Sequence, residues 1–118
     1  MTQLESFNVL EEPWEAFLKG NAKGIYSKEV DPAGLITVFT IKLMKVAPDG
    51  EFPPHTDPYS HLFYLLSGRG EGILRDTVYP MQQGHVTIVN AGIRHGYRNI
   101  GRDDMYLLTI NIPDETVR

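Results

Sequence analysis

The sequence of 118 residues contains no cysteine. Disulfide bonds, thiolate metal sites and a thiol nucleophile are therefore excluded, and any metal ion must be held by nitrogen and oxygen atoms. The chain also lacks a glycine-rich phosphate loop, a Gly-x-Ser-x-Gly elbow and a His-Glu-x-x-His pair. The commoner catalytic signatures are thus absent, and a function must be sought in other residues.

Clusters of basic residues and long apolar runs are missing as well. Eleven Lys and Arg residues against fifteen Asp and Glu residues give a formal net charge of −4, which argues against nucleic acid and anionic membrane surfaces as partners. No apolar run approaches the roughly 18 residues of a membrane-spanning helix. The N-terminal stretch has no basic region followed by an apolar one. We therefore expect a cytoplasmic protein.

The composition is that of an ordinary globular protein, with 42% hydrophobic and 22% charged residues. A chain of 118 residues can bury one core and is too short for two. No internal repeat, low-complexity tract or linker interrupts the sequence. Residues 1–118 are therefore expected to form one domain.

Short strands separated by turns are predicted for most of the chain. After a turn at 31–34, the β-branched and apolar stretch 35–48 is typical of a long strand. From Gly50 onward, short β-rich segments alternate with turn residues at 67–70, 82–84, 90–92 and 101–104. This regular spacing, without a long periodic helix, predicts an all-β sandwich or barrel.

One short helical segment is predicted near the N-terminus, from about Pro13 to Lys19. Trp14, Phe17 and Leu18 fall there at helical spacing behind a proline that suits a first helical turn. Packing in the core or at an interface is favoured for this stripe over a cofactor site.

The most informative pattern is formed by His55, Asp57, His61 and His95, which include three of the four histidines. Even offsets place the first three on one face of an extended chain, whereas residues two apart in a helix point in divergent directions. Imidazole and carboxylate groups suit Mn, Fe, Ni, Co or Zn, and such a set leaves coordination positions open. The pattern predicts a metal centre that is reactive or binds a ligand.

A structural interpretation of the same residues stands beside this hypothesis. His55 and His61 would then be loop histidines, and Asp57 ahead of Pro58 would be a turn residue that bonds to nearby backbone. The glycines and prolines around both groups place them where turns meet strands, which favours the joint metal interpretation.

Two segments resemble the motifs of the cupin superfamily. The first motif spans about residues 50–70 and the second about residues 84–99, where Asn90 stands at a position usually held by proline. The matching residues are Gly50-x4-His55-x-Asp57-x3-His61-x6-Gly68 and Gly84-x5-Asn90-x-Gly92-x2-His95-x3-Asn99. The resemblance implies an all-β, single-domain cupin jelly-roll barrel that covers most of the chain.

Within that superfamily, the stretch 53–61 resembles small single-domain cupins with a four-histidine centre, usually described with manganese. The resemblance implies that His55, Asp57, His61 and His95 hold one divalent metal ion per chain. Asp57 replaces a histidine of those relatives, and its carboxylate favours harder ions. Mn or Fe is therefore expected, with Ni or Zn as alternatives. Leu62 stands where a related form of the motif carries glutamate.

A pocket for a small organic ligand is expected beside the metal. If the strands are regular, Phe63 lies on the face of His61 and Tyr97 on the face of His95. Phe39 on the earlier strand, followed by Ile41 and Leu43, is expected to face the same interior. The predicted substrate-pocket residues are Phe39, Phe63 and Tyr97, in a mainly apolar cavity.

Three classes of function follow from the resemblance and the ligand set. The leading one is a metal-dependent enzyme with oxidoreductase chemistry of the dioxygenase type on a small organic substrate. The first alternative is a non-catalytic barrel that binds or senses a small molecule or the metal, and the second is isomerase or decarboxylase chemistry. The exposed sheet edges and the N-terminal aromatic stripe predict a homodimer.

Overall fold

The computed structural model describes residues 6–113, which are mostly β-strand. Two short 3-10 turns, Val9–Glu11 and Lys19–Asn21, lie near the start. The strands are β1 Glu15–Ala16, β2 Lys23–Glu29, β3 Thr40–His55, β4 Ser60–Ser67, β5 Gly70–Leu74, β6 Thr77–Met81, β7 Val86–Val89, β8 His95–Asn99 and β9 Met105–Ile112. No helix in this described part is long and apolar enough to cross a membrane.

The strands form one curled antiparallel sheet in the order β6-β5-β8-β3-β9-β4-β7, and β2 joins β1 to β3. Strand β3 is the centre of this arrangement because its first half pairs with β2 and β9 and its second half with β8. The pairings are antiparallel throughout and link strands far apart in sequence. The predicted all-β jelly-roll architecture is confirmed.

The interior of the barrel changes from apolar to polar along its strands. At one end, Val46, Leu65, Met105 and Leu107 are fully buried and form the core with their neighbours. Along β9 the same inward face continues from Leu107 to Thr109 and Asn111. Residues paired directly across a sheet share a face. The partners that lie on the inside are Lys42 and Phe63 beside Thr109, and His61 beside Asn111. The polar end of the interior is where the candidate site lies.

The helix predicted from about Pro13 to Lys19 is wrong. Residues Glu15–Ala16 instead form strand β1 on the edge of β2, and the 3-10 turns lie on either side. So short a helix is marginal on its own, whereas pairing with β2 satisfies backbone groups at once. Trp14 and Phe17 pack on Tyr106 and Phe52, but Leu18 is 79% exposed.

The long strand predicted at 35–48 is shifted. The turn at 31–34 is confirmed, with Gly34 at φ 68°. After the turn, the Asp31 carboxylate accepts the backbone N–H groups of Leu35 and Ile36. This local bonding competes with strand pairing, so β3 begins only at Thr40. Strand β2, Lys23–Glu29, was not predicted.

Gly96 allows β8 to lie closely against β3 beside His95. A Cβ atom at Gly96 would lie 2.7 Å from the carbonyl oxygen of Phe52 and 2.9 Å from the nitrogen of Pro54. Both contacts are with backbone, which cannot move away as a flexible side chain can. The pairing of β3 with β8 shifts register at this point, between Phe52 and His55.

We expect Gly96→Ala to lower the free energy of unfolding by about 1–3 kcal/mol, because the added methyl overpacks this contact. Gly101→Ala is the matched control, since a Cβ there would meet nothing closer than 3.5 Å. The control should change stability by no more than about 0.5 kcal/mol. Urea denaturation of both variants measures the difference. Equal stability of the two would contradict the steric account.

Candidate metal centre

Three imidazole rings surround one carboxylate oxygen. Asp57 Oδ2 lies 3.1 Å from His55 Nε2, 2.8 Å from His61 Nε2 and 3.5 Å from His95 Nε2. The end of β3, the loop after it, the start of β4 and the start of β8 each contribute one of these residues. Ligand atoms of His55, Asp57 and His95 all lie within 4.8 Å of one another. The structure thus places His55, Asp57 and His95 in one cluster of potential ligand atoms, and His61 contacts the same carboxylate oxygen.

The second nitrogen of each ring is held by a hydrogen-bond acceptor. These oxygens only accept, so each Nδ1 carries a hydrogen, and a ring that is neutral presents its Nε2 lone pair to Asp57. Such outer partners fix the orientation of metal-binding histidines. The acceptors are the carbonyl oxygen of Pro53, 2.7 Å from His55 Nδ1, that of Ile93, 2.8 Å from His95 Nδ1, and the side-chain oxygen of Asn111, 2.6 Å from His61 Nδ1.

The atoms at the centre repel one another unless something positive lies among them. When the rings are neutral, three lone pairs face a carboxylate oxygen that also only accepts. Among the described residues, His95 Nε2 is one of two buried side-chain polar atoms without a hydrogen-bond partner. Added protons or a metal ion would make these contacts attractive. The donor set of nitrogen and oxygen fits a divalent metal.

Protons are a poor substitute for a metal at His95. Burial lowers the pKa of His95 to about 4, and the nearby charges of His55 and His61 also lower it. At neutral pH the ring is therefore neutral and its Nε2 is free to act as a ligand. The Asp57 carboxylate, in contrast, is ionised and places a negative charge beside the neutral His95 ring.

Asp57 is kept in its charged form by its neighbours. Burial acts to raise the pKa of Asp57, but contact with His61 and the positive charges of His55 and Lys19 outweigh it and hold the pKa below its usual value. Lys19 Nζ lies 3.3 Å from Asp57 Oδ1 and also donates to the Tyr59 hydroxyl. The turn that carries Lys19 therefore closes one side of the centre.

A cavity of about 200 Å³ adjoins the centre. Its walls combine aromatic rings with a few polar groups, as is typical of sites for small ligands. Phe63 and Tyr97, both predicted as pocket residues, line it. The other lining residues are Phe17, Lys19, Lys42, Met44, Phe52, Asp57, Tyr59, His61, Thr109 and Asn111.

The placement predicted for Phe39 is wrong. Phe39 precedes β3 and lines a separate depression near the 31–34 turn. On β3 itself, Lys42 and Met44 line the cavity in place of Ile41 and Leu43. The register shift between Phe52 and His55 reverses the parity along the strand, so counting back from His55 selects the opposite face.

Several cavity residues were not predicted from the sequence. A signal exists for Thr109 and Asn111, because they continue the inward alternation of Met105 and Leu107 with polar side chains. Lys42 carries the same kind of signal only once the register of β3 is known. Lys19 has none, since its position depends on how the N-terminal segment folds back.

Comparison with known proteins agrees with this geometry. Residues 42–111, more than half of the chain, match the family described as Cupin domain. The chain belongs to the cupin family. The resemblance seen in the two sequence motifs is therefore confirmed, and the histidine and aspartate cluster of this cupin is a candidate metal site.

Solved structures similar to this cupin share its fold at low sequence identity. The polyketide cyclase RemF from Streptomyces resistomycificus superposes with a TM-score of 0.83 at 19% identity, over 93% of this chain and 80% of that one. A predicted oxalate decarboxylase from Thermotoga maritima gives 0.81 at 20%, over 90% and 96%. KdgF from Halomonas sp. gives 0.74 at 18%, over 90% and 91%. No curated protein sequence matches this chain significantly.

We expect His95→Ala to reduce metal affinity by more than the roughly 10–100-fold typical of losing an outer partner, while the barrel stays folded. The remaining residues, His55, Asp57 and His61, come from one short segment and cannot close the shell. His85→Ala is the control, because this fourth histidine stacks on Tyr79 outside the centre. Elemental analysis and metal titration report the result.

Asp57→His is a companion variant that tests the carboxylate itself. It replaces the oxygen donor with an imidazole and should shift preference toward softer ions without emptying the site. Full metal occupancy in His95→Ala, or an unchanged preference in Asp57→His, would contradict the proposed ligand set.

Metal-free protein should lose stability in acid through His95. An unfolded histidine has a pKa near 6.5, and the folded value is about 4, so the contribution is complete above pH 6.5 and disappears as the pH falls toward 4. Between pH 7 and pH 4.5 the loss is about 2 kcal/mol. Urea unfolding of chelator-treated wild type and His95→Gln at both pH values isolates this term. The same pH dependence in both proteins would refute it.

Proposed function

We propose that this cupin is a metal-dependent enzyme that acts on a small organic substrate. The observation that carries the proposal is the convergence of three Nε2 atoms on Asp57 Oδ2, each ring being held from behind by an acceptor. His55, Asp57, His61 and His95 would hold one divalent ion, with Mn or Fe favoured and Ni or Zn as alternatives. A structural role alone does not explain why four groups that can act as acceptors, the three Nε2 atoms and the Asp57 carboxylate, meet at one point.

The ion would supply Lewis acidity or redox chemistry with O₂ at an open coordination position. The residues around it would perform the remaining tasks. Phe52, Phe63 and Tyr97 line the cavity and exclude water from the apolar part of a substrate. Lys19 contacts Asp57 and donates to the Tyr59 hydroxyl, so it would hold the carboxylate in place beside the ion. The cavity is smaller than the roughly 300–1,000 Å³ of sites for drug-sized ligands, so the substrate is small.

Oxidoreductase chemistry of the dioxygenase type is the first reaction class. Mixed imidazole and carboxylate ligands suit non-haem Fe(II), which needs open positions for its substrates. The aromatic walls of the cavity suit an apolar organic molecule. Both features support this class over simple metal storage, for which an organic cavity would have no use.

Isomerase or decarboxylase chemistry is the second candidate, and the two lysines of the cavity favour it. Lys19 and Lys42 would stabilise negative charge that develops on a substrate during proton transfer or loss of carbon dioxide. The similar folds include a polyketide cyclase and a predicted oxalate decarboxylase, which is consistent with chemistry on small oxygenated molecules.

Turnover assays on metal-loaded protein test the proposal. Protein purified without chelators or metal-affinity resin is first analysed for Mn, Fe, Ni and Zn, with exposed Asp76→Ala as control for Asp57→Ala. A panel of small phenols, enols and keto acids is then assayed in air and without oxygen. We expect conversion that consumes O₂ and stops on chelation.

Other outcomes separate the alternatives. Conversion without oxygen that stops on chelation would favour the isomerase or decarboxylase. Ligand binding without conversion would favour a non-catalytic binding or sensing barrel. A protein that neither contains metal nor takes it up would overturn the proposal.

Assembly as a homodimer and a cytoplasmic location remain proposals. The outer face of β4 and β7 supports the dimer, because Tyr64, Leu66, Val86 and Ile88 are all exposed there. Adjacent exposed apolar side chains of this kind mark interaction surfaces more often than isolated ones do.

A further inference from the structure

Lys42 lies on the inward face of the barrel. The register of β3 with β9 places it directly opposite Thr109, which in turn lies opposite Phe63 on β4. The next inward residue on β3 is Met44, a core residue that is 3% exposed. The Lys42 side chain is 36% exposed, so its stem lies along the inward face while its ammonium group remains partly in water.

The ion pair that Lys42 makes within the protein is weak. Its Nζ lies 3.9 Å from Glu29 Oε1, and both side chains are partly exposed. A long, exposed ion pair of this kind contributes little. The ammonium has three hydrogens to donate, so it retains capacity for a ligand in the cavity that it lines.

Thr109 adds a second uncommitted polar group next to Lys42. Its residue is 9% exposed, and its Oγ1 is the other buried side-chain polar atom without a hydrogen-bond partner among residues 6–113. Leaving such a hydroxyl unpaired is unfavourable, because burial removes its hydrogen bonds with water. Since Thr109 also lines the cavity, a ligand oxygen there would satisfy it.

Other polar side chains of the cavity contact the residues of the metal centre. Lys19 contacts Asp57 and Tyr59, and Asn111 accepts from His61. Lys42 and Thr109 are polar groups that a substrate would meet away from these residues. One positive charge and one hydroxyl beside aromatic walls match a carboxylate on a compact apolar body.

We infer that Lys42 and Thr109 form a carboxylate-binding subsite and that the substrate is a small organic acid. The inference rests on the proposed function, because it names the substrate class of the same site. The acid group lies on Lys42 and Thr109, and the apolar body lies among Phe52, Phe63 and Tyr97. Lys42 is thus a residue that determines specificity.

Calorimetric titration with benzoate and with benzamide tests the subsite. The two probes have nearly the same shape and differ in charge. Both are titrated into chelator-treated protein and into Mn-loaded protein, so that binding to the subsite is separated from binding to the ion. Wild type should bind benzoate at least about tenfold more tightly than benzamide in both forms.

Variants assign that preference to its residues. Lys42→Met should remove the preference for benzoate, and Lys42→Arg should restore much of it. Thr109→Val, which keeps the shape, should weaken benzoate binding by up to about tenfold. Lys23→Met is the control for charge, because Lys23 is exposed on β2, and it should bind like wild type.

Defined results would overturn the inference. Equal affinity of wild type for the two probes would do so, as would full benzoate preference in Lys42→Met. Loss of binding in His95→Ala but not in Lys42→Met would place the acid at the histidines instead. Because the metal-free form is titrated too, failure of the subsite is distinguishable from failure to bind metal.

Discussion

The contact between the Asp57 carboxylate and three imidazole rings is the constraint around which the site is organised. It brings a loop residue into the barrel and places it between histidines from three strands. Fixed tautomers make the arrangement electrostatically unfavourable unless a positive species joins it. Phe52 stacks on His55 with ring centroids 3.9 Å apart, so packing holds this geometry as well as hydrogen bonds. The centre is preorganised by the fold.

Along the strands of the barrel, the apolar residues that stabilise the fold lie at one end and the candidate site lies toward the other. Apolar residues fill one end, where Val46, Leu65, Met105 and Leu107 are excluded from water. Removing such surface from water is the main stabilising contribution of the domain. Toward the other end, the inward positions become polar and leave space. A cavity can therefore be polar and incompletely packed there without undermining the core.

The sequence predicted the candidate metal-binding residues better than it predicted the residues that line the cavity. The four candidate ligand positions were predictable because His55, Asp57 and His61 lie close together in sequence and His95 belongs to a recognisable second motif. Asn99, the last residue of the second motif, donates its side-chain N–H groups to the carbonyl oxygens of Val46 and Asp103. Inward positions on β3 were mispredicted because alternation is reliable only as far as the next register shift.

The sequence by itself determined the fold class and the candidate ligand set, since alternating strands, turn residues and the two histidine motifs are local patterns. Only the tertiary structure decided which residues share the cavity. Lys19 reaches Asp57 because the N-terminal segment pairs with β2, and Lys42 faces Thr109 because of the β3–β9 register. Contacts between distant segments depend on register and on chain path, and neither is encoded in the spacing of neighbouring residues.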